Sequence, residues 1–182
     1  MLADAQIKKE DIMTRLPRTP KFASVVCGIA LCAAQSALAQ ESETFGAWTR
    51  ICTTEGAQQS CLISQVLQDE EGNNVAEVSI VDVADGGETV AGISIATPLD
   101  TLLLPGVRFQ VDAFDANRLP FNFCQPGGCV VQIGLTQENI DIFSAATAAA
   151  VTIVPIAAPD VEVPLSLSFE GFADAYASLQ AE

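Results

Sequence analysis

Apolar and polar side chains alternate along most of the chain after residue 45, which is the pattern of strands that bury one face. The segments 75–82 and 107–112 alternate most cleanly, and short clusters rich in glycine, proline or acidic residues separate the runs. Short strands at such close spacing are typical of an antiparallel β-sandwich or a barrel-like domain. The predicted strands are 46–52, 61–68, 75–82, 89–96, 107–112, 119–124, 129–135, 148–154 and 163–169.

Two segments near the end of the chain carry helical spacing instead. Thr136 can cap a helix that runs to about Ala146. The second segment is 171–179, where Phe172, Tyr176 and Leu179 recur at i, i+4 and i+7 and so share one helical face. The expected fold is therefore all-β, with two short helices added to the sheets.

The first 39 residues follow neither pattern. An apolar run at 22–34 is preceded by basic residues, including Lys21, and is followed by Ala37-Leu38-Ala39, a small-x-small sequence. This arrangement predicts a cleaved secretory signal peptide at 1–39 and a single domain at 40–182; the alternative is an N-terminal membrane anchor. We expect a periplasmic, secreted or outer-surface-associated protein, with no transmembrane segment after the signal is removed.

Four cysteines fall within the predicted domain: Cys52, Cys61, Cys124 and Cys129. An even number of cysteines in an exported chain predicts two disulfides, for which three connectivities are possible. Pairing of sequence neighbours is the simplest, and loops this short would each add about 2–3 kcal/mol of stability. A zinc site made of the same four thiolates would have a C-x8-C and C-x4-C spacing, unlike that of the usual zinc knuckle.

Charge and composition exclude several functions. The chain has 8 basic and 23 acidic residues and no histidine, which rules out a Ser-His-Asp triad, a Cys-His dyad and histidine metal ligands. An acidic surface repels phosphates, so no nucleic-acid partner is expected.

The predicted domain keeps three arginines and no lysine. Arg50, Arg108 and Arg118 could neutralise neighbouring carboxylates or form a shared anion-binding spot.

No catalytic, cofactor-binding or metal-ligating residue is predicted. The aspartic-protease signature is missing, and a Ser–Lys dyad is impossible without lysine in the domain. Acidic loops at 69–71, 82–88 and 112–115 offer oxygen ligands for calcium, but none has EF-hand spacing, and we interpret them as a solvated acidic rim. We therefore expect a protein that is not an enzyme.

Aromatic and leucine-rich positions are interpreted as core. Trp48, on the first predicted strand, should be buried, and the same is expected of four phenylalanines. Residues 102–104 are three leucines in a row, which predicts a buried strand; at the surface they would form a docking patch. The four phenylalanines are Phe109, Phe114, Phe121 and Phe123.

Five short blocks occur in order along almost the whole predicted domain. They are FGAWTRIC at 45–52, CLISQ at 61–65, TPL and LLPGV within 97–107, FNFCQPGGC at 121–129, and SFEGF at 168–172. In that order they resemble the FGDW…C, C-x-I-x-Q, PLG…LLPxG, F-x-x-C-x-P-x-G-C and S-L-K-G-F blocks of the invasion-associated locus B family, exported proteins of alphaproteobacteria. The chain departs from the family pattern in lacking lysines, and Glu170 stands where a lysine is common.

The resemblance implies an exported, disulfide-bonded β domain and, in pathogenic members, an association with host-cell invasion. It brings no catalytic residue with it. The function we expect is that of a non-enzymatic envelope protein that binds an unknown protein or envelope partner. Two alternatives stay open: a periplasmic domain that binds a small ligand between two sheets, and a hydrolase with two carboxyl groups about 5–10 Å apart in a cleft.

Overall fold

A computed structural model describes residues 41–83 and 87–180 of the chain, except for the side chain of Glu55. The described residues all lie in one compact unit. The predicted signal peptide and part of the acidic loop at 82–88 lie outside the described residues. The boundary at residue 39 therefore stays a prediction.

Antiparallel strands and two helices make up the described structure. The elements are β1 (Glu41–Phe45), β2 (Trp48–Glu55), β3 (Gln58–Gln68), β4 (Asn74–Asp82), β5 (Ala91–Thr97), β6 (Val107–Val111), β7 (Asn117–Leu119), β8 (Phe123–Gln125), β9 (Gly128–Leu135), α1 (Gln137–Ala145), β10 (Ala148–Ile153), β11 (Val163–Ser168) and α2 (Phe172–Leu179).

These strands form two sheets. Seven strands pair in the order β1-β2-β3-β4-β5-β9-β8, and four pair in the order β11-β10-β6-β7. Every strand pair is antiparallel, and the described sheets do not close into a barrel. The predicted all-β fold with two short helices is confirmed, in its sandwich-like form.

The alternating pattern explains which side chains enter the core. Along β5 buried and half-buried residues alternate without a break, with Ile93 and Ile95 on the buried face. Trp48 is fully buried and meets the Phe172 ring edge-on, with 5.4 Å between ring centroids. The Phe143 ring stacks on Phe169 at 5.0 Å. Aromatic rings from both helices thus fill the core beside the strands.

Local signals place both helices. Thr136 caps α1, as predicted: its hydroxyl accepts the Asn139 backbone N–H at 3.4 Å, and the Asn139 side chain accepts the Thr136 N–H at 3.0 Å. The second helix begins after Gly171 and buries Phe172, Tyr176 and Leu179, the three residues that the i, i+4, i+7 spacing placed on one face.

Two expectations about the strands are wrong. The predicted strand 119–124 is two strands in different sheets, because Pro120 lacks the N–H that would continue the ladder after β7. The chain then crosses to the other sheet, where the Asn122 N–H donates to the Val130 carbonyl at 2.9 Å. The first strand, β1, was not predicted, because its residues are almost all exposed and carry no alternating apolar face.

The expected burial of the leucine run is also wrong. Leu102 is half-buried, whereas Leu103 is exposed and Leu104 is 88% exposed. The cause is a turn in which the Gly106 N–H donates to the Leu103 carbonyl at 3.0 Å. This turn holds the two leucines away from the sheets, and Thr101 is buried beside them instead.

Candidate functional site

The four predicted cysteines form two disulfides that close neighbouring strands. Cys52 on β2 lies directly opposite Cys61 on β3, and Cys124 on β8 lies opposite Cys129 on β9. The bonds join Cys52 to Cys61 and Cys124 to Cys129, which confirms the pairing of sequence neighbours. The second bond fixes the three-residue strand β8 at the edge of its sheet. Both disulfides therefore stabilise hairpins.

Two glycines from the first and last family-like blocks meet back to back. Gly46 and Gly171 both have positive φ, +57° and +78°. A Cβ at Gly46 would lie 2.5 Å from the Glu170 carbonyl oxygen, and a Cβ at Gly171 would overlap the Phe45 carbonyl. The Ala47 N–H donates to the Glu170 carbonyl at 3.0 Å. Only glycine fits at either position, because the two turns touch through their backbones.

Side chains from the first and second family-like blocks bind the backbone of Ser168, close to the contact between the two glycine turns, and we call this region the junction. The Gln65 amide donates to the Ser168 carbonyl at 2.9 Å and accepts the Ser168 N–H at 2.8 Å. The Trp48 indole N–H donates to the same carbonyl at 2.9 Å. The seven-stranded sheet is thereby tied to the end of β11. These residues, which belong to the blocks that carry the resemblance, join the two sheets.

Tyr176 is the one tyrosine of the chain, and its hydroxyl serves as a hydrogen-bond donor. It lies 3.2 Å from a carboxylate oxygen of Asp82 and 3.3 Å from the Val90 carbonyl. Burial, with the negative charge and hydrogen bond of Asp82, raises the pKa of Tyr176 to about 12. The phenol therefore stays protonated at neutral pH and ties α2 to the end of β4.

The three arginines do not gather at one anion-binding spot. Arg50 lies 3.3 Å from Glu43 and donates to the Ser178 carbonyl. The Arg108 Nη1 donates to both carboxylate oxygens of Glu162, at 2.8 and 2.7 Å. Arg118 lies opposite Arg108 in the β6–β7 ladder, and its guanidinium donates to the Leu104 and Pro105 carbonyls. Arg50 and Arg108 thus neutralise carboxylates, while Arg118 is the one arginine in the described residues without a carboxylate within 4 Å.

Two of the acidic loops carry a carboxylate that accepts hydrogen bonds from nearby backbone. The Asp69 carboxylate accepts hydrogen bonds from the Asn73 side chain and backbone, which lower the pKa of Asp69. The Asp112 carboxylate accepts the backbone N–H groups of Thr147 and Ala148. Within 41–83 and 87–180, no group of three or more histidine, cysteine, aspartate or glutamate side chains is placed to hold a metal ion.

An open cleft at one edge of the sandwich is lined by an exposed aromatic side chain, Phe114. It has a volume of about 340 Å³ and lies between α1, β9 and the β6–β7 hairpin. A second hollow of about 470 Å³ lies alongside, and Phe114 and Ile142 line both. We call these two hollows together the Phe114 cleft. The floor is apolar and includes Phe109, Val111, Ile133, Leu135, Ile142 and Phe143.

Phe114 and Phe123 were expected in the core, and for both residues that expectation is wrong. The Phe114 side chain is 59% exposed, and Phe123 is 44% exposed, whereas Phe109 is buried and Phe121 is half-buried. For Phe114 the reason is local, because it stands in the loop between β6 and β7. The surrounding sequence, Asp-Ala-Phe-Asp-Ala-Asn, is rich in turn-forming residues and was the signal for a loop.

None of the helices in the described part of the chain has both the length and the apolar character needed to cross a bilayer.

Comparison with known proteins accounts for the five blocks. The family model for the invasion associated locus B (IalB) protein matches residues 48–180. The crystal structure of invasion associated protein B from Bartonella henselae has a similar fold, with a TM-score of 0.64 and 23% sequence identity over 78% of this chain and 95% of that chain. No curated protein matches the chain. Because the family model covers well over half of its length, the chain belongs to the invasion associated locus B family.

Proposed function

We propose that this chain is an exported, invasion-associated envelope protein that acts by binding a partner protein and catalyses no reaction. The observation that carries the proposal is that the family-like blocks serve the fold, whereas an apolar cleft elsewhere on the surface is left open. Family-like blocks build the disulfide hairpins and the junction around Ser168, whereas the Phe114 cleft leaves an aromatic side chain in water. Exposed apolar patches with polar rims are typical of interaction sites.

The hydrolase alternative has less support from the geometry. Glu138 and Asp141 line the Phe114 cleft, and Asp112 lines it as well. Both α1 carboxylates are exposed to water, whereas a catalytic acid needs apolar surroundings. Asp112 already accepts backbone N–H groups, so it braces the hairpin.

Photocrosslinking in the native host tests this proposal. The full-length chain is expressed with a photoreactive phenylalanine analogue at one exposed position at a time: 66, 104, 114, 123 or 156. We expect a reproducible adduct with an envelope or host protein from those positions that lie on one face of the surface, and none from the others. Photolysis that gives no reproducible adduct from any of the five would contradict a binding role.

A further inference from the structure

We propose that the Phe114 cleft docks a cationic amphipathic polypeptide segment. An apolar side chain of the partner would enter the cleft beside Phe114, and its lysines or arginines would face the acidic rim. This inference rests on the proposed binding function, because it names the surface and the chemistry of the partner.

The first support is apolar surface that the fold leaves uncovered. Phe114 is 59% exposed, although burial of a phenylalanine side chain away from water is favourable. The ring stands between two hollows of about 340 and 470 Å³, and Ile142 of α1 also lines both. Volumes of this size fall within the range of about 300–1,000 Å³ that is typical of binding clefts. A partner side chain can therefore bury the ring and the cleft floor together.

The second support is that hydrogen bonds hold the loop carrying Phe114 in place. The Phe114 N–H donates to the Val111 carbonyl at 2.9 Å, and the Gln110 side chain donates to the Phe114 carbonyl at 2.9 Å. Asp112 ties the same loop to the start of β10 through Thr147 and Ala148. A braced loop loses little conformational entropy when a partner binds, so the exposed ring is prepared for contact.

The third support is the sign of the charge around the ring. Four carboxylates line the Phe114 cleft: Asp112, Asp115, Glu138 and Asp141. Within the described residues none of the four has a cation within 4 Å. The single lining cation, Arg118, donates to the Leu104 and Pro105 carbonyls. The whole chain carries −15, so long-range attraction also favours a basic partner and repels an acidic one.

A designed peptide pair tests the proposal with the processed chain. The probe is a fluorescein-labelled, 18-residue amphipathic helix of leucine and lysine, and the matched control peptide has glutamate in place of every lysine. Anisotropy titrations should show binding of the lysine peptide, with a Kd that rises at least tenfold between 50 and 300 mM NaCl. The glutamate peptide should not bind, because the rim repels it.

Variants distinguish binding of the peptide at the Phe114 cleft from non-specific binding to the acidic surface. Phe114→Ala removes an exposed ring and should raise the Kd at least tenfold with the melting temperature unchanged. Phe123→Ala removes another exposed ring, near the Cys124–Cys129 disulfide, and should leave the Kd within twofold. The double variant Glu138→Gln/Asp141→Asn should raise the Kd and flatten the salt dependence. Equal losses from Phe114→Ala and Phe123→Ala would overturn the proposal, since the peptide would then bind the acidic surface at large.

Other occupants give different results, each of which overturns the proposal. Binding of decanoate that is lost in Arg118→Gln would assign the cleft to an anionic small molecule. A dimer seen in sedimentation equilibrium and abolished by Phe114→Ala would assign the cleft to a second copy. Failure of the lysine peptide to bind also overturns it. If the lysine peptide fails to bind but photocrosslinking in native cells gives adducts from positions other than 114, the proposed binding function stands and only the proposal for the Phe114 cleft is wrong. If the lysine peptide binds but no position gives an adduct, the chemistry of the cleft stands and the proposed binding function is wrong.

Discussion

The back-to-back contact of Gly46 and Gly171 gives the sharpest test of how the fold is held together. Substitution of Gly171 by alanine has two costs. The first is the positive φ of +78°, which costs an alanine about 1–2 kcal/mol. The second is the overlap of the new Cβ with the Phe45 carbonyl. Relief of that overlap requires the two turns to separate and weakens the 3.0 Å hydrogen bond between Ala47 and Glu170.

Gly72 supplies a matched control for the backbone cost alone. Its φ of +83° is close to that of Gly171, but a Cβ there meets no atom within 4 Å. We therefore expect Gly72→Ala to lower the free energy of unfolding by about 1 kcal/mol. Gly171→Ala adds the overlap, the lost hydrogen bond and looser packing of Trp48 against Phe172, so we expect a loss of at least ~3 kcal/mol.

Urea unfolding followed by tryptophan fluorescence measures both variants. Trp48 is the single tryptophan of the chain, is fully buried and lies next to the junction, so its emission reports the loss of this core. The midpoint should fall slightly for Gly72→Ala and much further for Gly171→Ala, with similar slopes. Equal destabilisation of the two variants, within about 0.5 kcal/mol, would refute the reasoning that the two turns meet through their backbones.

Three further predictions concern the hydrogen bonds and disulfides of the same fold. Gln65→Leu should lower the free energy of unfolding by about 2 kcal/mol, because the Ser168 N–H loses its side-chain acceptor. Gln68→Leu, which removes an exposed hydrogen bond to Asn74, should change the free energy of unfolding by less than about 0.5 kcal/mol. Urea titration compares the two variants. Replacement of Cys52 and Cys61 together by serine should cost about 2–3 kcal/mol in the same assay. The phenol absorbance of Tyr176 should titrate with a pKa of about 12, above the 10.0 of an unperturbed tyrosine. The contribution of Tyr176 to stability is therefore present below pH 10 and is lost as the pH rises toward 12, and Tyr176→Phe should remove that pH dependence.

Local patterns explain most of what the sequence predicts about the fold. Alternation placed β4 and β6 close to their observed bounds, because each buries one face only. Thr136 was recognised as a cap because a threonine hydroxyl at the start of a helical run can accept a free backbone N–H. The disulfides were simple to pair because each joins directly opposite residues of one hairpin.

Features that depend on distant contacts were not predictable in the same way. Nothing in the local sequence says that Gly46 meets Gly171, or that the Gln65 amide reaches Ser168, 103 positions away. The Phe114 cleft also requires α1 to pack beside the β6–β7 hairpin, which periodicity alone does not specify. The leucine run misled because three apolar residues in a row indicate burial, whereas a turn ending at Gly106 presents Leu104 to water.

The mass of the intact protein purified from its native host tests most directly the claim that the domain is exported and carries two disulfides. We expect one species that begins at residue 40 and is lighter by four hydrogens than the reduced chain 40–182, because two disulfides have formed. A protein that retains residues 1–39 and carries four alkylatable thiols in the domain would contradict the account.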